Sequence, residues 1–124
     1  MAREKDAELV LTRDQADLAR QVSRAVDEGV TRLVVGGDDG TLQVAGRGVA
    51  GSACSLGIVP LGRGNDFAGA LGINPHPAEA LAAALEPAVR KIDLGTVNGI
   101  PFNCVAGVGF DGDVSAWPGT RSGW

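Results

Sequence analysis

The sequence predicts an α/β fold built on a parallel sheet, and three observations carry that expectation. Two short apolar runs of buried-strand type, Leu33-Val34-Val35 and Ser55 to Val59, alternate with segments whose apolar residues recur at helical spacing. Each run leads at once into a glycine-rich turn that opens a helix, GGDDGT at 36 to 41 and PLGRGNDF at 60 to 67. Two such turns after two parallel strands fall on one edge of the sheet, the edge where open α/β folds take their ligands.

Length and composition set the bounds. At 124 residues the chain is one domain or part of one, large enough for a core, and two domains are excluded. Glycine, at 19 of 124 residues, is about twice the usual ~7%, which suits a protein whose turns carry the chemistry. Eleven basic and fifteen acidic residues leave a net charge of −4 with no basic run, which argues against nucleic acid as a partner. Cys54 and Cys104 lie far apart among small or apolar residues and read as reduced core residues. No secretory signal is visible, and no apolar run comes near the ~20 residues that span a bilayer. The expected location is therefore cytoplasmic, with any membrane contact peripheral.

Taken in order, residues 1 to 7 are a charged lead-in. Glu8 to Leu11 reads as a short strand, and Thr12 begins a helix with Gln15 three positions on, in the manner of a capping box. Leu18, Val22, Ala25 and Val26 form the buried stripe of that helix, and Gly29 stops it. The strand at 31 to 35 follows, so residues 8 to 35 are expected to make one parallel strand-helix-strand unit. From Thr41 a helix continues through Leu42, Ala45 and Val49; Gly46 and Gly48 dilute it, at nearly ~1 kcal/mol each relative to alanine, so tertiary packing has to hold it. Asn65 to Leu71 is one or two helical turns. Pro77 opens an alanine-rich helix to about Leu85, and Pro87 ends it; His76, the single histidine, reads as a loop or cap residue. Segments 91 to 97 and 100 to 105 are extended and joined by Asn98-Gly99, a hairpin signal. Residues 115 to 124, SAWPGTRSGW, show no period of either kind.

The two turns suggest their ligand. Glycine lets a bulky anion approach the peptide N–H groups, and a helix start adds unpaired donors and the positive end of a dipole, so phosphate suits the place. Carboxylates there repel phosphate, which points to proton abstraction from an attacking hydroxyl or to a metal ion between the charges. Ordinary strand-to-helix turns also use glycine and aspartate. No G-x-x-x-x-G-K-[ST] pattern occurs and the lysines are Lys5 and Lys91 alone, so phosphate binding would rest on backbone amides, with Arg63 as a further donor. Gly107, Gly109 and Gly112 fit G-x-G-x-x-G, but the acidic residue that a dinucleotide fold needs about ~20 positions on has no place before the chain ends.

GGDDGT at 36 to 41, PLGRGNDFA at 60 to 68 and GVGFDGDV at 107 to 114, in this order and spacing, resemble the motifs of the diacylglycerol kinase catalytic-domain family, distantly related to NAD kinase. The resemblance covers roughly residues 8 to 114. It implies the family's parallel-sheet nucleotide-binding domain over 8 to 90, a hairpin over 91 to 114 leading toward a C-terminal β-domain, and an irregular tail over 115 to 124. It further implies an ATP-dependent lipid kinase using Mg²⁺, acting on a lipid at the membrane surface.

Residue by residue, the resemblance places Gly36, Gly37, Asp38, Asp39, Gly40 and Thr41, with Gly62, Arg63, Gly64, Asn65 and Asp66, at the nucleotide. Thr12 joins them as the family's threonine at the end of a strand, with capping as its alternative role. The family pattern is GGDGT. Read from the left, Asp38 is the family aspartate; read from the right, which keeps Gly40-Thr41 in register with the helix, Asp39 is. One of the two is implied as base or metal contact. Arg63 stands where the family has threonine or serine, and either grips phosphate or fills the nucleotide's space. Asp66 either caps the next helix or touches ligand, and Asp111 is implied as a metal-organising residue or a plain turn residue.

Family members begin with a further strand and turn and continue into a C-terminal domain that carries much of the lipid pocket. The resemblance therefore implies a chain short at both ends, with weak or no activity alone and a sheet edge open to self-association. The competing readings are a non-catalytic remnant or nucleotide-binding module and, with less support from PLGRGNDFA, a relative of NAD kinase.

Overall fold

The computed structural model describes residues 7–103. Four helices and four short strands follow one another in the order α1 (Gln15–Asp27), β1 (Arg32–Gly37), α2 (Asp39–Val49), β2 (Ser55–Pro60), α3 (Asp66–Ala70), α4 (Pro77–Ala84), β3 (Gly95–Val97) and β4 (Ile100–Phe102). β1 and β2 pair in parallel, with Leu33 opposite Leu56 and Val35 opposite Ile58. A parallel pair needs a crossover, which α2 supplies. The parallel unit is therefore β1-α2-β2.

Residues 8 to 11 correct one expectation, because they form no strand. Leu9 and Leu11 are 86% and 85% exposed, so this stretch gains neither a neighbour's hydrogen-bond ladder nor burial, and a lone extended segment lacks both sources of stability. The start of α1 is corrected too. Its N-cap is Asp14, not Thr12: the Asp14 carboxylate accepts the Asp17 amide at 2.7 Å. Asp17 returns the contact one residue further out, accepting the Arg13 amide at 3.0 Å. That bond, ahead of Gln21 and the Arg13 guanidinium, holds the Asp17 carboxyl below its usual range. At the other end, Gly29 at φ 78 donates to the Val26 carbonyl and Val30 to that of Ala25, a Schellman closure of the kind that glycine permits.

Alternation along the strands decides what each sheet face meets. Val35 and Ile58 join Leu18 and Val22 of α1, Leu42 and Ala45 of α2, and Phe67 and Ala68 of α3 in one buried cluster. Their neighbours Val34 and Gly57 point the other way. A Cβ on Gly57 would lie 2.8 Å from that of Ala84, so its absence lets α4 come down on this second face. The Arg32 guanidinium secures that contact by donating to the carbonyls of Ala84, Glu86 and Pro87 at the C-terminal end of α4, where a cation also suits the helix dipole. Proline opens α4 at its first position and His76 supplies only the backbone of the N-cap.

The glycines of α2 mark close approaches. A Cβ on Gly48 would collide with Val22 of α1, and one on Gly46 would lie 2.5 Å from Oδ1 of Asn103. The tertiary packing that the sequence demanded for this helix thus enters through the positions that weaken it. Asn98 and Gly99 both take positive φ, 50 and 77, and turn β3 antiparallel onto β4, as the two-residue turn predicts; the strands are shorter than the extended segments expected. The hairpin rests on α2, whose Gln43 and Arg47 donate to the Pro101 carbonyl while the Asn103 amide donates back to Gln43. Cys54 is buried and free, and burial pushes its thiol pKa up. Cys104, the glycine motif at 107 to 114 with Asp111, and the tail at 115 to 124 lie outside the described residues.

Candidate functional site

The site grows from the C-terminal ends of the two parallel strands. The Leu61 amide donates to the Gly37 carbonyl at 2.9 Å, so the ladder continues one residue past β2 and the two turns leave the sheet side by side. They touch directly. A Cβ on Gly62 would lie 2.6 Å from that of Asp38 and 2.9 Å from its Cα, and a Cβ on Gly36 would lie 2.9 Å from Leu61 Cδ1. The glycines at 36 and 62 are therefore needed for two backbones to pass each other as much as for any ligand.

GGDDGT is the end of a strand and the start of a helix rather than an open loop. Gly36 and Gly37 close β1, Asp38 is the N-cap of α2, and Asp39, Gly40 and Thr41 are its first turn. Asp38 Oδ1 accepts both the Thr41 amide at 2.8 Å and the Thr41 hydroxyl at 2.9 Å. The amide first and the hydroxyl second hold the Asp38 carboxyl below its usual range. Gly37 makes the room, since a Cβ there would lie 2.6 Å from the Thr41 Cβ. Asp38 Oδ2 has no hydrogen-bond partner among the described residues.

Asp39 is committed elsewhere. Its Oδ2 accepts the Asp66 amide and its Oδ1 the Phe67 amide, both at 2.9 Å. Asp66, one candidate cap of α3, is instead its first residue; the N-cap is Asn65, in the left-handed region at φ 52 and without a side-chain cap bond. The Asn65 amide group turns back on its own loop, accepting from the Gly62 amide at 2.9 Å and donating to the Gly62 carbonyl at 2.8 Å. The vacant capping function is thus filled by a carboxylate from another helix.

Of the donors that the sequence offered to a phosphate, those of Thr41, Gly62 and Asp66 are already paired, as is the neighbouring amide of Phe67. The amides of Asp39, Gly40, Arg63 and Gly64 have no acceptor among the described residues, and they lie on the two facing turns. The Arg63 side chain is exposed and makes no hydrogen bond or ion pair with the described residues. Gln15, which the sequence offered only as a capping partner, begins α1 beside this place, with Nε2 3.4 Å from where a Cβ on Gly40 would stand; its spacing from Thr12 gave no sign of that. Thr12 itself is exposed, three residues ahead of α1.

Among the described residues no three His, Cys, Asp or Glu side chains group as metal ligands. Asp38 and Asp39 spend three of their four carboxylate oxygens on protein N–H and O–H groups, so these residues do not by themselves fit a Mg²⁺ ion. Also among the described residues, no helix is long and apolar enough to cross a membrane.

Similarity to known proteins agrees with this geometry. The family model described as the diacylglycerol kinase catalytic domain matches residues 1–97. A Pseudomonas aeruginosa protein named "Probable lipid kinase YegS-like" is 45% identical over 119 residues, 92% of this chain and 39% of its own length. One of the same name from Chromohalobacter salexigens is 41% identical over 106 residues, 82% of this chain and 33% of its own. The crystal structure of a diacylglycerol kinase from Bacillus anthracis superposes with a TM-score of 0.67 at 29% identity, over 73% of this chain and 34% of that one. The chain thus spans about a third to two fifths of the length of these relatives. With the model match covering most of the chain and both glycine turns at the strand ends, the chain belongs to the diacylglycerol kinase catalytic-domain family.

Proposed function

We propose that these residues form the nucleotide side of an ATP-dependent lipid kinase, with the polyphosphate lying across the two facing turns. The observation that carries this reading is that the amides of Asp39, Gly40, Arg63 and Gly64 have no acceptor among the described residues and lie on two adjoining turns, next to the positive end of α2 and to the exposed Arg63. In such a transfer a lipid hydroxyl attacks the γ-phosphoryl group, and catalysis is mostly positioning and charge stabilisation. Gly40, Arg63 and Gly64 would hold and orient the phosphates, with Gly36, Gly37, Gly62, Asn65 and Asp66 shaping the turns and Thr41 fixing Asp38. Asp38 Oδ2, which has no hydrogen-bond partner among the described residues, would take the hydroxyl proton. Mg²⁺, which would spread charge on the phosphates, is not assigned ligands among the described residues, and Asp111 keeps only the role that the resemblance implies.

The lipid would be met at a membrane surface by peripheral contact. A second copy pairing on the open sheet edge belongs to the same reading, and a sedimentation profile that does not change with concentration would remove it.

Two assays test the function. Titration with MgATP is expected to show saturable binding, while transfer of phosphate from ATP to a diacylglycerol in mixed micelles is expected to be weak or absent for these 124 residues alone. Absence of binding together with a broad, poorly cooperative melt would favour a non-catalytic remnant, and phosphorylation of NAD would move the assignment to the NAD kinase branch. Turnover comparable to that of a full-length relative would contradict the division of labour proposed.

A further inference from the structure

We infer that Asp39 is a positioning residue whose carboxylate clasps the start of α3 to the start of α2, so that the Asp66 and Phe67 amides are structural donors and not phosphate ligands. The clasp rests on the nucleotide reading above for its functional consequence, though not for its existence.

Three observations support it. Both Asp39 oxygens are engaged at 2.9 Å, by donors 27 and 28 residues away in sequence. Hydrogen bonds from amides to a carboxylate are among the stronger ones a protein makes. The residue that would ordinarily cap α3, Asn65, is turned back onto Gly62 and cannot serve. Without Asp39 the first amides of this short helix would be left as orphan donors. The turn between is also built tight on one side, where Gly62 abuts Asp38, and open on the other, where a Cβ on Gly64 would come no nearer than 3.6 Å to Asp39 Oδ2. A clasp at Asp39 therefore fixes how far the Arg63 and Gly64 amides stand from Gly40. Misplacing such groups by about 1 Å can cost on the order of 10²-fold in a positioned reaction.

The proposal separates the two neighbouring aspartates by role. Asp38 caps its own helix through one oxygen, the other having no partner among the described residues; Asp39 spends its charge on another element.

The test uses Asp39→Ala, with Asp39→Asn as a near-isosteric variant that keeps one acceptor oxygen and places a donor against the other amide. Amide hydrogen exchange followed by NMR is expected to show about tenfold or faster exchange at Asp66 and Phe67 in Asp39→Ala, with Val59 in β2 still protected. Should Asp39→Ala fail to fold, Asp39→Asn decides, by faster exchange at one or both of these amides. Calorimetric titration with MgATP is expected to give about tenfold or weaker binding for the variants. Unchanged exchange at both amides in a folded variant would overturn the clasp. So would large shifts of the Asp66 and Phe67 resonances when MgATP is added to the wild type, since phosphate would then be their partner. If the wild type binds no MgATP, the nucleotide reading fails, while the exchange experiment still decides the clasp.

Discussion

The Asp39 carboxylate accepts the Phe67 amide at 2.9 Å across 28 residues of sequence, and this bond ties the two glycine turns into one structure. It makes the start of α3 depend on a residue of α2, so a lesion in either turn is expected to be felt in both. Additivity should fail there, as it does wherever two residues share a network.

Gly62 gives the most direct steric test of that joint construction. A methyl group at this position would stand 2.6 Å from Asp38 Cβ and 2.9 Å from backbone, and backbone cannot swing aside. Gly62→Ala is expected to cost about 1–3 kcal/mol, read as a lower urea midpoint at unchanged m-value. Gly64→Ala, which meets nothing closer than 3.6 Å, should be nearly neutral by the same measurement.

Asp38 gives a prediction in pH. Its folded-state carboxyl is held low by the Thr41 amide and hydroxyl, so its stabilisation is fully present above the unfolded carboxylate pKa of ~3.9 and is lost as pH falls through the lower folded value. Asp38→Ala should destabilise by about 0.5–2 kcal/mol at neutral pH, as loss of an N-cap does. The difference between variant and wild type should hold steady down to about pH 5 and shrink below pH ~4. A difference that stays constant through the acid range would contradict the cap.

The α2 glycines invert a common rule. Glycine to alanine in a helix interior usually gains about 1 kcal/mol, yet at Gly48 the new methyl would strike Val22 of α1, and at Gly46 the Asn103 amide of the docked hairpin. Both substitutions are therefore expected to be net destabilising, by roughly 1–3 kcal/mol, in chemical denaturation. Gly46→Ala should in addition loosen the hairpin, seen as faster exchange of the Asn103 amide that Gln43 accepts.

Much of this was legible in the sequence, and the remainder was hidden for identifiable reasons. The glycine stop at Gly29, Pro77 at the head of α4 and the Asn98-Gly99 turn each express a local backbone preference, and local preferences can be read one residue at a time; the parallel strands at 32–37 and 55–60 showed as two apolar runs separated by a helical stretch. The start of α1 was misplaced by two residues because Thr12, Asp14 and Gln15 offer overlapping capping patterns, which only side-chain geometry separates. Residues 8 to 11 carry strand residues without a partner, and a strand is a property of a pair. The Asp39 clasp had no local signature at all: two aspartates in one turn look alike until the fold brings α3 beside one of them.

Arg63 discriminates between gripping and filling. Its side chain is exposed and has no partner among the described residues, so Arg63→Ala should change stability by no more than about 0.5 kcal/mol. Binding of MgATP should weaken by about tenfold, the loss expected for one hydrogen bond from a charged donor. Tighter binding by Arg63→Thr, measured in the same titration, would mean that the arginine occupies the nucleotide's space.

The account stands most squarely on where a nucleotide's phosphates go. Titration of the isotopically labelled chain with MgATP, followed through its amide resonances, should move Gly40, Arg63 and Gly64 together along one binding curve while Gly29 and Gly99 stay still. Saturating MgATP that leaves those three unmoved, or that acts instead on the outer face of α1 or on the hairpin, would contradict it.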